Sequence, residues 1–346
     1  MTRVNFAGND YLGLARDPRL ADALCRAVRE YGISSTSSRW ALGWTDLHQK
    51  LEDALAAFTG AEAACITGAA YFGGPVYYSV FAGSGRVVYC DETVHSNQFL
   101  GMRAAGLEIR KFKHLDAGDL KRQLKGHKGP APIVAADGVY GISGEVAPLA
   151  EMAEAARAVG AEIFVDDAHG FGALGASGRG STELCGLAPA PDLTVLCSMS
   201  KAMGCNGGFL TGRKELVEKF RRSAAASGSA IPPPPIAAAC LESLRIIREE
   251  PELRDKMESH ARRLRAALAA RGVSVVSDRT PILGMVFKDE FEAAAADKHF
   301  LKHGLVIPYF KYASEPRENL LRGAARACYT EEHLARFEKA VATLKR

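Results

Sequence analysis

The stretch EIFVDDAHGFGALG, residues 162–175, passes from a short apolar run to two carboxylates, a histidine and three glycines. A continuous apolar run of this length is typical of a strand that is buried on both faces, as in a parallel sheet. Ligands of such sheets bind at the carboxyl ends of the strands. Asp166 and His169 are therefore predicted to lie at a ligand-binding edge.

Further runs rich in Val, Ile and Leu share this character. They are Arg86–Cys90, Pro132–Ala136, Leu193–Cys197 and Gly207–Thr211. Helix-like segments such as Leu149–Val159 separate several of them. This alternation predicts an α/β fold with a mostly parallel central sheet covered by helices on both faces.

The character of the chain changes at four consecutive prolines, residues 232–235, which prevent a helix from continuing through them. A helical segment from Ile236 to about Arg248 follows, and short strands are predicted near Val273–Val276, Leu283–Phe287 and Leu305–Pro308. This pattern is typical of a smaller α+β domain. We therefore divide the chain into an N-terminal segment 1–44 that joins the small domain and the active site, a large domain 45–230 and a small C-terminal domain 231–346.

The composition is that of an ordinary globular protein, with 44 basic and 40 acidic residues and a formal charge of +4 among 346 residues. No basic face argues for nucleic acid or a membrane surface. No segment approaches the roughly 20 apolar residues of a membrane helix, and the start lacks a signal pattern. Eight cysteines without CxxC spacing indicate reduced thiols rather than a metal cluster or disulfides. We expect a cytoplasmic protein without a metal.

A second motif, CSMSKAMGCNGGFL at residues 197–210, places Lys201 after a strand and beside Ser198 and Ser200. A lysine kept from bulk water can lose its proton and form a Schiff base with an aldehyde. Hydroxyls and glycine backbone amides bind phosphate. Lysines are usually solvated, and an acid pair at a strand end can be structural. Taken together with Asp166 as partner of a heterocyclic nitrogen, however, these groups specify pyridoxal 5′-phosphate, PLP.

Two further motifs are weaker when taken alone. His95 in YCDETVHSN could stack on a pyridine ring, although a loop histidine without a ligand is the commoner case. The stretch TGAAYFGG, Thr67–Gly74, could open a helix and offer the amides of Gly68 and Ala69 to a phosphate. A helix that opens only for packing would look similar.

Assembled in this order, the motifs resemble the α-oxoamine synthase family of fold-type I PLP enzymes. The resemblance runs from NDYLGL at Asn9 to LLRGAARACYT ending at Thr330. It implies an aspartate-aminotransferase-like fold and a homodimer. It also implies condensation of an amino acid with an acyl thioester of coenzyme A or a carrier protein, usually with decarboxylation, to give an α-aminoketone. Another PLP reaction, such as that of an aminotransferase, aldolase or racemase, is the alternative.

The resemblance also assigns roles on the cofactor side. It makes Lys201 the Schiff-base lysine, Asp166 the partner of the pyridine nitrogen, His169 the partner of the phenolic oxygen and His95 the residue stacked on the ring. Other positions match cofactor and substrate contacts. Those at the phosphate are Ser198, Gly68 and Ala69, with Ser229 reaching the phosphate from the partner subunit. Those at the substrate are Asn9, Arg322 and Arg39, and of these Asn9 and Arg322 hold the amino-acid carboxylate.

One departure from the family concerns the phenolic oxygen. Gly141 stands where the family commonly has a serine that bonds this oxygen, and Ser143 lies two residues further on. We therefore hypothesise that His169 carries more of this task than in relatives.

Overall fold

The computed structural model of the chain describes residues 3–228, 230–309, 311–312 and 315–345, so the predicted phosphate contact Ser229 lies outside the described residues. The strands, in chain order, are β1 (Val4–Asn5), β2 (Ala63–Thr67), β3 (Val87–Asp91), β4 (Glu108–Phe112), β5 (Ile133–Asp137), β6 (Glu162–Asp166), β7 (Leu193–Ser198), β8 (Gly208–Gly212), β9 (Ser274–Val275), β10 (Ile282–Val286), β11 (Leu305–Val306) and β12 (Leu320–Ala324).

The helices alternate with these strands in the first two thirds of the chain. They are α1 (Pro18–Tyr31), α2 (Asp46–Thr59), α3 (Gly73–Ser79), α4 (Ser96–Ala104), α5 (Ala117–Lys125), α6 (Leu149–Arg157), α7 (Ser181–Leu184), α8 (Lys214–Arg222), α9 (Ala224–Ser227), α10 (Pro234–Glu249), α11 (Glu252–Ala270), α12 (Glu290–Lys302) and α13 (Glu331–Ala342). Among the described residues, no helix combines the length and the apolar composition needed to cross a bilayer.

The central sheet has seven strands in the order β2-β8-β7-β6-β5-β3-β4. Strand β8 pairs antiparallel with both neighbours, and the other pairs are parallel. The prediction of a mostly parallel α/β sheet is confirmed. The five strands predicted here differ from the observed ones by at most one residue at each end. Strands β2 and β4 were not predicted; β4 lies at the edge, and its sequence EIRKF is mostly polar and exposed.

Helices cover the sheet on both faces because successive strand residues point to opposite sides. On one face, side chains of α3, α4 and α8 pack with alternate residues of β5 to β8, such as Phe164 and Leu196. On the other face, α5 and α6 pack with the intervening strand residues, such as Val165, which follows Phe164 on β6. Strand β8 lies between β2 and β7 and runs antiparallel to both, so the carboxyl ends of β2, β7, β6, β5 and β3 all lie at one edge.

The C-terminal part of the chain forms a separate hydrophobic cluster. Strands β9, β10 and β12 form an antiparallel sheet, and its apolar side chains pack with those of α11, α12 and α13. The N-terminal segment reaches this part through β1, which pairs in parallel with β11. The division at 230 stays a prediction. Helix α10 begins at Pro234, where a missing N–H is tolerated, and its residues Ala237 and Cys240 are buried with Phe209 of the large sheet.

A close crossing joins the two helices α3 and α4, which follow the carboxyl ends of β2 and β3 at the ligand-binding edge of the sheet. Helices α3 and α4 meet at Gly74 and Gly101, and a Cβ added at Gly101 would lie 2.6 Å from the carbonyl carbon of Gly74. Only glycine permits this approach without a shift of one helix. Helix α4 begins directly after His95, so the crossing also sets the position of that residue.

We predict that Gly101→Ala lowers the free energy of unfolding by about 2 kcal/mol, because the added methyl overpacks a backbone contact. Urea-induced unfolding followed by circular dichroism measures this. The matched control is Gly118→Ala on α5, where the nearest atom to the added Cβ is a side-chain oxygen of Asp116 at 3.1 Å. The control should be unchanged or slightly more stable, since alanine favours a helix. Equal losses in both variants would contradict the role of the crossing.

Candidate active site

Two adjoining cavities open at the carboxyl edge of the central sheet. The first, called here the Asp166 cavity, measures about 240 Å³ and is lined by Ala69, Asp166, Ser198 and Ser200 among others. The second, the Arg322 cavity, measures about 400 Å³ and is lined by Asn9, Tyr312, Arg317 and Arg322 among others. The residues that line both are His95, Asp137, Gly141, His169 and Lys201.

Lys201 stands at the junction of the two cavities, in the turn after β7, with its side chain half-buried. Burial lowers the pKa of this amine to about 8, although the nearby carboxylates Asp166 and Asp137 act in the opposite direction. A substantial fraction of the amine is therefore neutral near physiological pH. A neutral amine is the form that attacks an aldehyde or accepts a proton from carbon.

Asp166 ends β6 at the base of the smaller cavity. Its Oδ2 accepts a hydrogen bond from the side-chain amide of Asn97 at 3.2 Å, and its Oδ1 accepts one from the backbone N–H of Ala168 at 3.1 Å. These donors hold the carboxylate in one orientation. A carboxylate fixed in this way can hold a proton on a heterocyclic nitrogen.

Asp137 ends the neighbouring strand β5, directly opposite Asp166 in the parallel register. It accepts hydrogen bonds from the side-chain amide of Gln98 at 2.7 Å and from the backbone N–H of His95 at 3.1 Å. Burial, followed by the charge of Asp166, raises the pKa of Asp137 well above its ordinary value. The Asp137 carboxyl therefore binds its proton more strongly than an ordinary aspartate does.

Hydroxyl groups and a tight turn lie elsewhere in the Asp166 cavity. The Oγ atoms of Ser198 and Ser200 are 2.9 Å apart, and Ala69 lines the same cavity. Gly68 immediately precedes Ala69 in the turn that follows β2. The helix opening predicted in Thr67–Gly74 is a 3-10 turn, Ala70–Phe72, followed by α3.

His95 precedes α4 and faces both cavities. Its ring meets that of Tyr71 edge to face, with centroids 6.1 Å apart. The backbone hydrogen bond to Asp137 fixes the start of the helix against the strand edge. His95 thus lies where the two cavities join, and its stacking role stays a prediction.

His169 contacts Tyr11 and Gly141. Its Nδ1 lies 2.7 Å from Oη of Tyr11. Desolvation, followed by the positive charges of Lys201 and Arg322, lowers the pKa of His169 well below its ordinary value, so the imidazole is neutral. A Cβ added at Gly141 would lie 2.3 Å from Nε2 of His169. The ring therefore occupies the space that a serine side chain at 141 would need.

Arg317 is one of two arginines in the Arg322 cavity, and its charge is compensated. Its guanidinium pairs with Glu145 at 2.6 Å and with Glu315 at 2.6 Å. Glu145 also contacts His114, which is paired with Asp91. Burial alone would lower the pKa of His114, but these carboxylates raise it to about 9. This wall of the cavity is consequently polar, and its charges are already paired.

Arg322 on β12 differs from Arg317 because its buried guanidinium contacts neutral oxygens. It donates to the backbone oxygen of Gly141 at 3.1 Å, to that of Ala7, to Oδ1 of Asn9 and to Oη of Tyr11 at 3.2 Å. Among the described residues, no Asp or Glu lies within ion-pair distance of Arg322. A buried cation without a counter-charge is costly, so this side chain is suited to a carboxylate that enters the cavity.

Arg39, predicted for substrate binding, does not line either cavity. Its guanidinium pairs with the buried carboxylate of Glu52, at 2.7 Å, and lies over the ring of Trp44, 3.8 Å from the centroid. Its substrate role stays a prediction.

Three residues that the sequence reasoning missed belong to the site. Asp137 had a visible signal, since the run PIVAAD ends in an acid just as EIFVD does. Asn97 follows His95 closely but had no such signal. Tyr11 lies in the NDYLGL motif, yet its contact with His169 joins positions 158 residues apart. No spacing rule predicts a contact of that separation.

The residues of the Asp166 cavity fit PLP. They provide a carboxylate for the ring nitrogen, a hydroxyl pair for the phosphate and an amine of lowered pKa for the aldehyde. In addition, His169 provides a neutral ring nitrogen beside the cavity. The residues that would hold PLP are thus Asp166, Ser198, His169 and Lys201, with His95 against the ring.

Comparisons with known proteins agree with this geometry. The family model of aminotransferase class I and II matches residues 2–341. The chain is 36% identical over 307 residues to the 8-amino-7-oxononanoate synthase of Methylococcus capsulatus, covering 88% of this chain and 79% of that protein. It is 33% identical over 335 residues to that of Symbiobacterium thermophilum, covering 96% and 85%.

Solved structures show the same fold. The serine palmitoyltransferase of Sphingomonas wittichii superposes with a TM-score of 0.92 at 28% identity, covering 99% of this chain and 89% of that one. The serine palmitoyltransferase of S. paucimobilis with bound PLP and myriocin gives 0.92 at 27% identity, covering 99% and 88%.

The fold, the site and these similarities define the class: the chain belongs to the aminotransferase class I and II family. Within that family it is an α-oxoamine synthase, a PLP-dependent acyltransferase. The predictions of the family, of the PLP cofactor and of the acyl transfer reaction are confirmed.

We predict that Gly141→Ser weakens PLP binding through His169. In the wild-type background the serine displaces the imidazole, and Kd for PLP should rise about tenfold, the equivalent of one lost hydrogen bond. In a His169→Ala background the space is free, and the same change should alter Kd less than about twofold. The four apoenzymes of this double-mutant cycle are the wild type, Gly141→Ser, His169→Ala and the double variant. Titrating each with PLP and following the absorbance measures the four dissociation constants. Additive effects would contradict the contact.

We also predict that covalent attachment of PLP to Lys201 follows the lowered pKa. The neutral amine reacts, so the attachment rate should rise with pH with a midpoint of about 8 rather than at the ordinary value of 10.5. Stopped-flow absorbance after mixing apoenzyme and PLP measures the rate. A model lysine peptide supplies the pH dependence of PLP itself, and Lys201→Ala should show no attachment. A midpoint near that of the peptide would contradict the prediction.

Proposed function

We propose that the chain condenses an amino acid with an acyl thioester, with the amino-acid carboxylate bound by Arg322 and Asn9. The observation that carries this proposal is the buried guanidinium of Arg322. Its hydrogen-bond partners among the described residues are all neutral, and Arg322 and Lys201 line the same cavity. The carboxylate would supply the missing counter-charge and would leave later as carbon dioxide.

The cofactor-side residues are proposed to act as holding groups. Bound PLP supplies an electron sink for the charge that develops at the amino acid's α-carbon. Asp166 keeps the proton on the ring nitrogen, because Asn97 and Ala168 fix its carboxylate. Ser198 contributes a hydroxyl to the phosphate. His95 restrains the ring from one side and His169 donates to the phenolic oxygen.

Lys201 is proposed to move the α-proton. This residue lines both cavities, and its lowered pKa makes the neutral amine available as a general base. After the new carbon–carbon bond forms, the thiol leaves and the carboxylate departs as carbon dioxide, and the same amine can then return its proton to the α-carbon. One group therefore serves both proton transfers.

The substrate pair is proposed from the names of the relatives and from the cavity. An 8-amino-7-oxononanoate is the decarboxylated condensation product of alanine with a seven-carbon acyl group that ends in a carboxyl group. Serine palmitoyltransferase names a longer, wholly apolar acyl group. The Arg322 cavity measures about 400 Å³ and has a polar wall containing His114 and Arg317. We favour the shorter, polar acyl group on these grounds.

We predict that alanine and the carboxyl-terminated seven-carbon acyl-CoA release thiol together with an aminoketone, while serine and palmitoyl-CoA do not. Free thiol and product mass are measured in the same reaction. Lys201→Ala should abolish both. Arg322→Lys should raise KM for the amino acid at least about tenfold and leave KM for the thioester nearly unchanged, because lysine lacks the fork that binds a carboxylate. Transamination or racemisation without thiol release would contradict the proposal.

A homodimer in the cytoplasm is proposed as the setting of this reaction. Large apolar side chains are exposed in the N-terminal segment, notably Ile33, Trp40 and Leu42, and Tyr71 and Phe72 are exposed beside the Asp166 cavity. Exposed apolar groups of this number support burial against a second copy. All eight cysteines are free thiols, which supports a reducing compartment.

A further inference from the structure

Tyr11 joins the two cavities through a short chain of hydrogen bonds. Its side chain is fully buried, and its hydroxyl lies 2.7 Å from Nδ1 of His169 and 3.2 Å from Nη2 of Arg322. The group that faces the cofactor is thereby connected to the group that faces the substrate carboxylate. Neither neighbour touches the other directly in the hydrogen bonds of the described residues.

The direction of these bonds follows from the protons available. A guanidinium donates and never accepts, so Oη of Tyr11 accepts from Arg322. The hydroxyl's one proton needs an acceptor, and the described residues offer it Nδ1 of His169 and no other hydrogen-bonding partner besides Arg322. Donation by His169 instead would leave a buried hydroxyl proton unpaired, which costs about 1–3 kcal/mol.

An accepting Nδ1 determines where His169 carries its proton. In a neutral imidazole one ring nitrogen accepts and the other donates. Desolvation, followed by the charges of Lys201, Arg322 and His95, keeps the pKa of His169 low and the ring neutral. The proton is then on Nε2, the atom that lies against Gly141 and beside the cavities that the ring lines.

We propose that Tyr11 is a positioning residue that holds His169 in its Nε2–H form and couples this form to Arg322. The proposal rests on the proposed function only for the identity of the oxygen that receives the Nε2–H bond. Two features of the site follow from it. A serine side chain at 141 would collide with the ring that Tyr11 holds, and His169 offers a donor rather than an acceptor to the phenolic oxygen.

The test reads the proton position directly, in apoenzyme without substrate. Nitrogen-15 spectra of histidine-labelled protein distinguish a protonated from an unprotonated ring nitrogen, and the His169→Gln variant identifies the His169 signals. In wild type we expect a protonated Nε2 and an unprotonated Nδ1. Protonated Nδ1 in wild type overturns the proposal and requires no variant to fold.

Tyr11→Phe removes the hydroxyl and keeps the ring. We expect the Nε2–H form of His169 to give way to a mixture of the two forms, and Kd for PLP to rise about tenfold. The matched control is Tyr77→Phe, which removes another buried hydroxyl, one with no hydrogen-bond partner among the described residues. That control should leave both readings unchanged. An unchanged His169 spectrum in Tyr11→Phe overturns the proposal.

These outcomes are independent of the acyl transfer reaction. A protein that passes the spectroscopic test but releases no thiol contradicts the proposed function and leaves the role of Tyr11 intact. A protein that releases thiol while its His169 carries the proton on Nδ1 contradicts the role of Tyr11 and leaves the proposed function intact.

Discussion

The hydrogen bonds of the buried Arg322 guanidinium are the interactions on which the rest of the site depends. The guanidinium is held by Ala7 and Asn9 from the N-terminal segment, by Tyr11 just beyond them and by the backbone of Gly141 after β5. One side chain on β12 thus ties together three segments that are far apart in sequence. Because its partners are neutral, the same contacts that assemble the cavity leave its charge available. An arginine paired like Arg317 would close the fold equally well but would bind no anion.

The parallel sheet supplies the other half of the site. Strand ends that carry Asp137, Asp166 and Ser198 lie side by side because parallel strands share one carboxyl edge. The two acids are adjacent, and each carboxylate is held by its own donors: Asn97 and the backbone of Ala168 hold Asp166, and Gln98 and the backbone of His95 hold Asp137. Lys201 follows β7, the strand that ends at Ser198, and lines both cavities. The chemistry therefore depends on the order of the strands as much as on the residues themselves.

Much of this arrangement could be predicted from the sequence, and the reasons for the exceptions are physical. Continuous apolar runs located the central strands, since burial on both faces leaves a clear pattern. The polar edge strand β4 has no such burial and was missed. Helix α10 was located, but its packing on the large sheet depends on tertiary contacts. The family resemblance placed Lys201, Asp166, His169, His95 and Arg322 in one site, and the structure brings them together around the two cavities. The Tyr11–His169 contact and the lack of a carboxylate beside Arg322 are properties of the assembled fold.

The central claim is that the uncompensated charge of Arg322 selects substrates that carry a carboxylate. The most direct measurement is titration of the PLP-loaded enzyme with alanine and with ethylamine, the same molecule without its carboxylate, followed by the cofactor's absorbance. The account predicts that alanine binds at least about 100-fold more tightly, as expected where a site built for a charged group meets an analogue that lacks it. Equal dissociation constants for the two amines would contradict it.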